Sequence, residues 1–190
     1  MTQQDAQRAS FDGVEVESAT GFAAAPDGYA RLWTPHRMAY IQSHHVQESD
    51  DECPFCRVPG LSDEEGLIVA RGELAYVVLN LYPYNTGHLL VCPYRHVGLY
   101  DEATEAETAE IASLTQTAMR VLRGSLRCDG FNIGMNQGRL AGAGIAAHLH
   151  QHVVPRWSAD ANFMPIVAGT KAMPRLLGEV RDELAAAWPR

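Results

Sequence analysis

The chain has no apolar run approaching the ~20 residues that a membrane-spanning helix needs. Its opening stretch, MTQQDAQRASFDG, lacks the charged-then-apolar order of a secretory signal. A cytoplasmic protein without a membrane partner is therefore expected. No Gly-Lys-Ser or Gly-Lys-Thr run is present, which excludes a Walker-type phosphate loop. Gly-x-Gly-x-x-Gly is also missing, and no organic cofactor is expected. Lysine is almost absent: Lys171 stands alone, and every other fixed cation is arginine. The net charge of −8 argues against nucleic acid or an anionic membrane as partner. A small nucleotide needs only local donors. Any phosphate contact must then come from histidine, arginine, amides or backbone.

What is present suffices for one hydrophobic core and is short for two, since 46% of 190 residues are apolar. Residues 1–28, polar and broken by Gly13, Gly21, Pro26 and Gly28, read as a flexible arm. Residues 29–190 read as a single domain. Within 29–41, Leu32, Trp33, Met38, Tyr40 and Ile41 are expected to cover apolar surface, on the domain or on a partner chain. An acidic loop then leads into Cys53. Strand signals follow at 67–70, 73–80, 88–92, 130–136 and 148–156, with a turn at 82–87 and a glycine-rich loop at 138–144. A long helix is expected at 103–126. Thr104 and Glu107 fit a capping box at its start, and Ile111, Leu114, Ala118, Val121 and Leu122 form its apolar face. A C-terminal helix at 173–188, opened by Pro174, carries Leu176, Leu177, Val180, Leu184 and Trp188 as a stripe. The fold class is α+β: an antiparallel sheet with one long helix and a C-terminal helix on one side.

His148, His150 and His152 alternate. On an extended strand they share one face, with Leu149, Gln151 and Val153 on the other. Imidazole serves near neutral pH as base, acid, nucleophile or metal ligand. Three in a row leave two readings, metal ligation and catalysis at phosphorus. Cys53 and Cys56 form a Cys-x-x-Cys pair. A thioredoxin-like redox pair would need a preceding strand, and an acidic loop stands there instead. Two unrelated thiols are the bland alternative. Zinc is the better reading, and it requires two further nitrogen or sulfur ligands. Cys92 and Cys128 read as isolated thiols. His36, His44 and His45 read as residues of solvated segments.

The run His148-Leu149-His150-Gln151-His152-Val153-Val154 resembles the signature of the histidine-triad family, His-φ-His-φ-His-φ-φ with φ apolar. Asn80 through the turn to Gly87-His88 resembles the family's second hallmark, and the 131–138 segment its third. Residues 29–41, the 80–85 stretch and Val-Pro-Arg-Trp at 154–157 are most similar to the diadenosine tetraphosphate phosphorylase branch. The resemblance implies a catalytic set of His148, His150 and His152. His150 would attack an α-phosphate to form a nucleotidyl-histidine, and His152 would assist the leaving group. It implies substrate contacts at Asn80 for ribose, His88 behind the triad, and Asn136, Gly142 and Gly144 around the phosphates. It also implies a structural zinc on Cys53, Cys56, His96 and His148, and a homodimer. The substrate would be a dinucleoside polyphosphate, with inorganic phosphate as acceptor. The alternatives are a hydrolase of such substrates or of nucleoside phosphoramidates, and a non-catalytic, zinc-stabilised nucleotide-binding protein. Two positions depart from the family pattern. Gln151 replaces an apolar residue on the side away from the triad. Residues 144–147 offer no hydroxyl, so that phosphate contact falls to backbone N–H groups.

Overall fold

Two short apolar runs, AYVVL and LLVCP, are buried on both faces and form the middle of a sheet. The computed structural model describes residues 53–158, 160 and 173–189. The arm at 1–28, the 29–41 segment, His36, His44 and His45 lie outside the described residues. The strands are β1 (Ile68–Arg71), β2 (Ala75–Leu79), β3 (Leu89–Pro93), β4 (Gly130–Gly134) and β5 (Gln151–Arg156). They make one antiparallel sheet in the order β1-β2-β3-β5-β4. The helices are α1 (Pro54–Arg57), α2 (Glu105–Leu126) and α3 (Leu177–Ala186). The expected α+β architecture is the one observed.

The pleat sorts side chains by parity. Ala75, Val77, Leu79, Leu89, Val91 and Val153 face α2 and α3, where they meet Ile111, Ala118, Leu122, Val180 and Leu184. Tyr76, Val78, Leu90 and Cys92 face the other way and pack with Cys53, Phe55 and Ile68. The sheet therefore has a helical side and a side closed by the Cys-x-x-Cys turn. His152 pairs in register with Leu90, so the triad belongs to the second side.

Helix α2 begins as its sequence requires. Thr104 Oγ1 accepts from the Glu107 N–H at 3.2 Å, and Glu107 Oε2 accepts from the Thr104 N–H at 2.8 Å. Glu107 is buried, and Arg95 grips both its oxygens at 2.9 and 2.7 Å. This grip, helped by the Thr104 bonds, holds its carboxyl down at about 2. A carboxyl depressed in the folded state stabilises above its unfolded value and loses that contribution as pH falls through the folded one. We therefore expect the urea midpoint of the wild type to fall between about pH 4.5 and 2 more steeply than that of Glu107→Gln. Parallel titrations of the two proteins would rule this out if their profiles differ only by a constant.

Several expected boundaries move, among them the second strand, which runs from Ala75 to Leu79 and not over 73–80, and the long helix, which starts at Glu105 and not at 103. The strand expected from residue 148 begins at Gln151. Pro93 has no N–H to continue the ladder, and its carbonyl accepts instead from His148 Nε2 at 2.9 Å. Leu149 is held from another quarter, its N–H donating to the Val97 carbonyl at 2.6 Å. The last helix begins at Leu177, not at Pro174, because Leu176 is extended with ψ 144° and Pro174 fixes only its own φ. Val180 and Leu184 of the expected stripe are buried, whereas Leu176 is 71% exposed. The fourth strand ends at Gly134, two residues early. Gly87 has a positional reason. Its φ is +78°, a left-handed conformation that favours glycine, and a Cβ there would lie 2.5 Å from Leu126 Cδ1, so a larger residue would have to displace that side chain of α2.

Candidate active site and metal centre

The three histidines reach one place by two routes, His152 on β5 and His148 and His150 on the segment entering it. All lie on the side of the sheet away from α2. His150 Nδ1 lies 2.7 Å from the His148 carbonyl. A carbonyl only accepts, so Nδ1 carries the proton and Nε2 keeps its lone pair. Burial pushes the His150 pKa below its ordinary value, against the opposing pull of that bond. The ring is thus neutral at pH 7.

His152 is set by a relay of contacts from the 80–88 turn. Tyr84 N–H donates to His88 Nδ1 at 3.0 Å, and Asn80 Nδ2 lies 3.3 Å from the same atom. Both groups are donors, so His88 holds its proton on Nε2 and gives it to His152 Nδ1 at 2.9 Å. His152 must then carry its own proton on Nε2. That buried Nε2–H has no hydrogen-bond partner among the described residues. A buried donor left unsatisfied is costly, which makes it a place where a bound acceptor would sit. Burial, and next the neighbouring His150, push the His152 pKa down to about 4. Tyr84 stacks on the His152 ring at 5.8 Å. Asn80 also holds its own turn, its Oδ1 accepting from Tyr82 N–H at 3.0 Å.

Asn136, Gly142 and Gly144 occupy the loop between β4 and β5. It leaves β4 beside His152, the in-register partner of Gly134, and returns at His148. Gly142 has φ +85°, a left-handed conformation that few other residues adopt without strain.

On the far side of His148 a second cluster forms. Cys53, Cys56, His96 and His148 bring their ligand atoms within 4.8 Å of one another. His148 Nδ1 lies 3.4 Å from each cysteine sulfur, and His96 Nδ1 lies 3.2 Å from Cys56 Sγ. The bond from His148 Nε2 to the Pro93 carbonyl places that ring's proton away from the sulfurs. A ligand histidine commonly has its second nitrogen fixed this way. These four residues could hold a metal ion. The two expected groups of residues, metal and triad, therefore meet at His148.

Gln151, the departure from the apolar pattern, finds a partner that sequence reading missed. Its Nε2 donates to Thr115 Oγ1 at 2.6 Å, and that hydroxyl donates to the Ile111 carbonyl at 2.7 Å. Thr115 was discoverable as a polar break in the apolar face of α2, one turn from Ile111. Thr115→Val should cost about 1–3 kcal/mol in urea denaturation by stranding the Gln151 amide. Gln151→Leu combined with Thr115→Val should recover most of it. A double variant as unstable as the sum of the singles would refute the pairing. Phe55 and Tyr84, both packed on triad rings, were also missed, since an aromatic inside a short turn carries no periodic signal.

The family profile described as HIT domain matches residues 63–159, from before β1 to just past β5. A curated protein of Mycobacterium tuberculosis named AP-4-A phosphorylase is 50% identical over 169 residues, covering 86% of this chain and 87% of that protein. Among solved structures, a Zn-bound histidine triad family protein from Mycobacterium smegmatis superposes with a TM-score of 0.59 at 28% identity, over 73% of this chain and 94% of that one. A hypothetical histidine triad nucleotide-binding protein from Sulfolobus tokodaii gives a TM-score of 0.58 at 28% identity, over 71% and 91%. The alternating histidines, the sheet that presents them and these likenesses agree: the chain belongs to the histidine-triad, or HIT domain, family.

Proposed function

We propose that this protein cleaves a dinucleoside polyphosphate, diadenosine tetraphosphate foremost, by nucleotidyl transfer to inorganic phosphate. The observation that carries the reading is the state of His150: a neutral ring, its Nδ1 proton held by the His148 carbonyl and its Nε2 lone pair available. His150 Nε2 forms a bond to the α-phosphorus as the bond from phosphorus to the bridging oxygen breaks. ATP leaves, and adenylyl-histidine remains. A phosphate oxygen then attacks the same phosphorus, the P–N bond breaks, and ADP leaves. Splitting one displacement into two lowers each barrier. The Nε2–H of His152, without a partner among the described residues, donates to phosphate oxygens where charge develops, held in place by His88. Asn80 takes the ribose, and Asn136 with the backbone N–H groups at Gly142 and Gly144 takes the phosphates. The 50% identity to AP-4-A phosphorylase supports this choice of substrate and acceptor.

Zinc is the metal that the donor set fits. Tetrahedral Zn–S bonds of ~2.3 Å and Zn–N bonds of ~2.0–2.1 Å imply S···N edges of about 3.5 Å. Three S···N separations, from His148 to both cysteines and from His96 to Cys56, are 3.2 to 3.4 Å, and all four ligand atoms lie within 4.8 Å of one another. Four protein ligands leave no open position, so the ion's contribution is structural. Bound there by Cys53, Cys56, His96 and His148, it would tie the Cys53 turn to the segment that carries the triad.

Incubation with diadenosine tetraphosphate, with and without inorganic phosphate, tests the reading. ATP plus ADP, formed only with phosphate, is the expected result. ATP plus AMP without phosphate would make the protein a hydrolase. No turnover in either would leave a nucleotide-binding protein.

A further inference from the structure

The turn that brings the two cysteines together also carries a ring onto the catalytic histidine. Phe55 sits between Cys53 and Cys56 in α1 and is buried. Its ring centroid is 5.0 Å from that of His150, tilted by 40°, and 5.6 Å from that of His148, edge-on at 66°. The backbone beneath it is held from several sides. Tyr76 Oη donates to the Phe55 carbonyl at 2.7 Å, and the N–H groups of Cys56 and Arg57 both donate to the Cys53 carbonyl at 3.1 Å. On either side of Phe55, a cysteine sulfur converges on His148 Nδ1.

An imidazole is soft about χ2, with two broad wells. The bond from His150 Nδ1 to the His148 carbonyl holds one edge of the ring, and His152 approaches at 5.1 Å, near-perpendicular at 71°. Phe55 supplies a further wall. We propose that Phe55 is the positioning residue of the nucleophile: it keeps the His150 ring in the orientation that presents Nε2 to phosphorus. The metal ligands set Phe55 in place, so the metal site reaches His150 through this ring as well as through His148. The proposal rests on the reading of His150 as nucleophile.

Phe55→Leu removes the ring and keeps an apolar side chain, and Phe55→Tyr keeps the ring. For each variant, zinc per chain, kcat and KM with diadenosine tetraphosphate and phosphate, and the long-range 1H–15N spectrum of His150 without substrate would be measured. Phe55→Leu should retain zinc and lower kcat by about 10- to 100-fold with KM changed less than about threefold, as expected for a misplaced reacting group. Its His150 spectrum should pass from one tautomer, protonated at Nδ1, to an exchange average. Phe55→Tyr should stay close to wild type in all three. Wild-type kcat and an unchanged spectrum in Phe55→Leu would overturn the proposal, as would a loss of kcat that only follows loss of zinc. The spectrum needs no turnover. A wrong nucleophile would show itself separately, as persistent activity in His150→Ala.

Discussion

His150→Ala is expected to lower kcat for dinucleoside polyphosphate cleavage by about 10⁴-fold or more, since removing a covalent nucleophile abolishes both half-reactions. Stability should change far less. Truncation leaves the His148 carbonyl without its donor and opens a small space beside Phe55, at a cost of about 1–3 kcal/mol. Metal content should be unchanged, because His150 contributes nothing to the Cys53, Cys56, His96 and His148 cluster. The size of the loss separates His150 from its neighbours. In the proposed mechanism His152 supplies a donor to developing charge, and losing one such donor typically costs about 10²–10³ in kcat. Single-turnover assays with radiolabelled substrate would show the difference directly: wild type traps labelled protein when phosphate is withheld, and His150→Ala does not. Wild-type turnover in the variant would end the assignment.

Cys53→Ser should have the largest effect on stability. We expect about one zinc per chain in the wild type by elemental analysis and none in the variant. An ion held at 100 times its dissociation constant contributes about 2.7 kcal/mol, or roughly 5–10 °C in Tm for a chain of this size. Cys53 is fully buried, so the loss should exceed the simple binding contribution. The stranded Cys56 and His148 would then lack their shared partner inside a closed site. Treating the wild type with a chelator should reproduce the shift, and adding zinc back should reverse it. A protein free of metal that melts with the wild type would refute the structural role. Activity should fall alongside stability, because His148 provides both a ring able to ligate the metal and the carbonyl bonded to His150 Nδ1.

Much of this protein is legible in its sequence. The capping box at Thr104 and Glu107 and the helical face of Ile111, Ala118 and Leu122 were readable because each depends on spacing of a few residues along one helix. The alternation of His148, His150 and His152 was readable for the same reason, although the first two lie outside the regular strand. Other features were hidden because they depend on pairs distant in sequence. Gln151 stood as an exception until Thr115, 36 residues earlier, was found opposite it. Pro174 looked like a helix start, but the segment that follows it stays extended through Leu176. Phe55 was an unmarked position between two cysteines.

By itself the sequence determined the order of elements, the sharing of one face by the three histidines, and the residue types able to hold a metal, since local periodicity and side-chain chemistry decide these. Only the tertiary structure decided which groups meet each imidazole. The proton positions on His88, His150 and His152 follow from which donors and acceptors meet them, and those partners come from the 80–88 turn and from the triad's own backbone. The junction of metal cluster and triad at His148 likewise required Cys53 and Cys56 to fold back across 95 and 92 residues of chain. Hydrogen bonds act at about 3 Å in space, and distance along the chain does not reveal which groups will come that close.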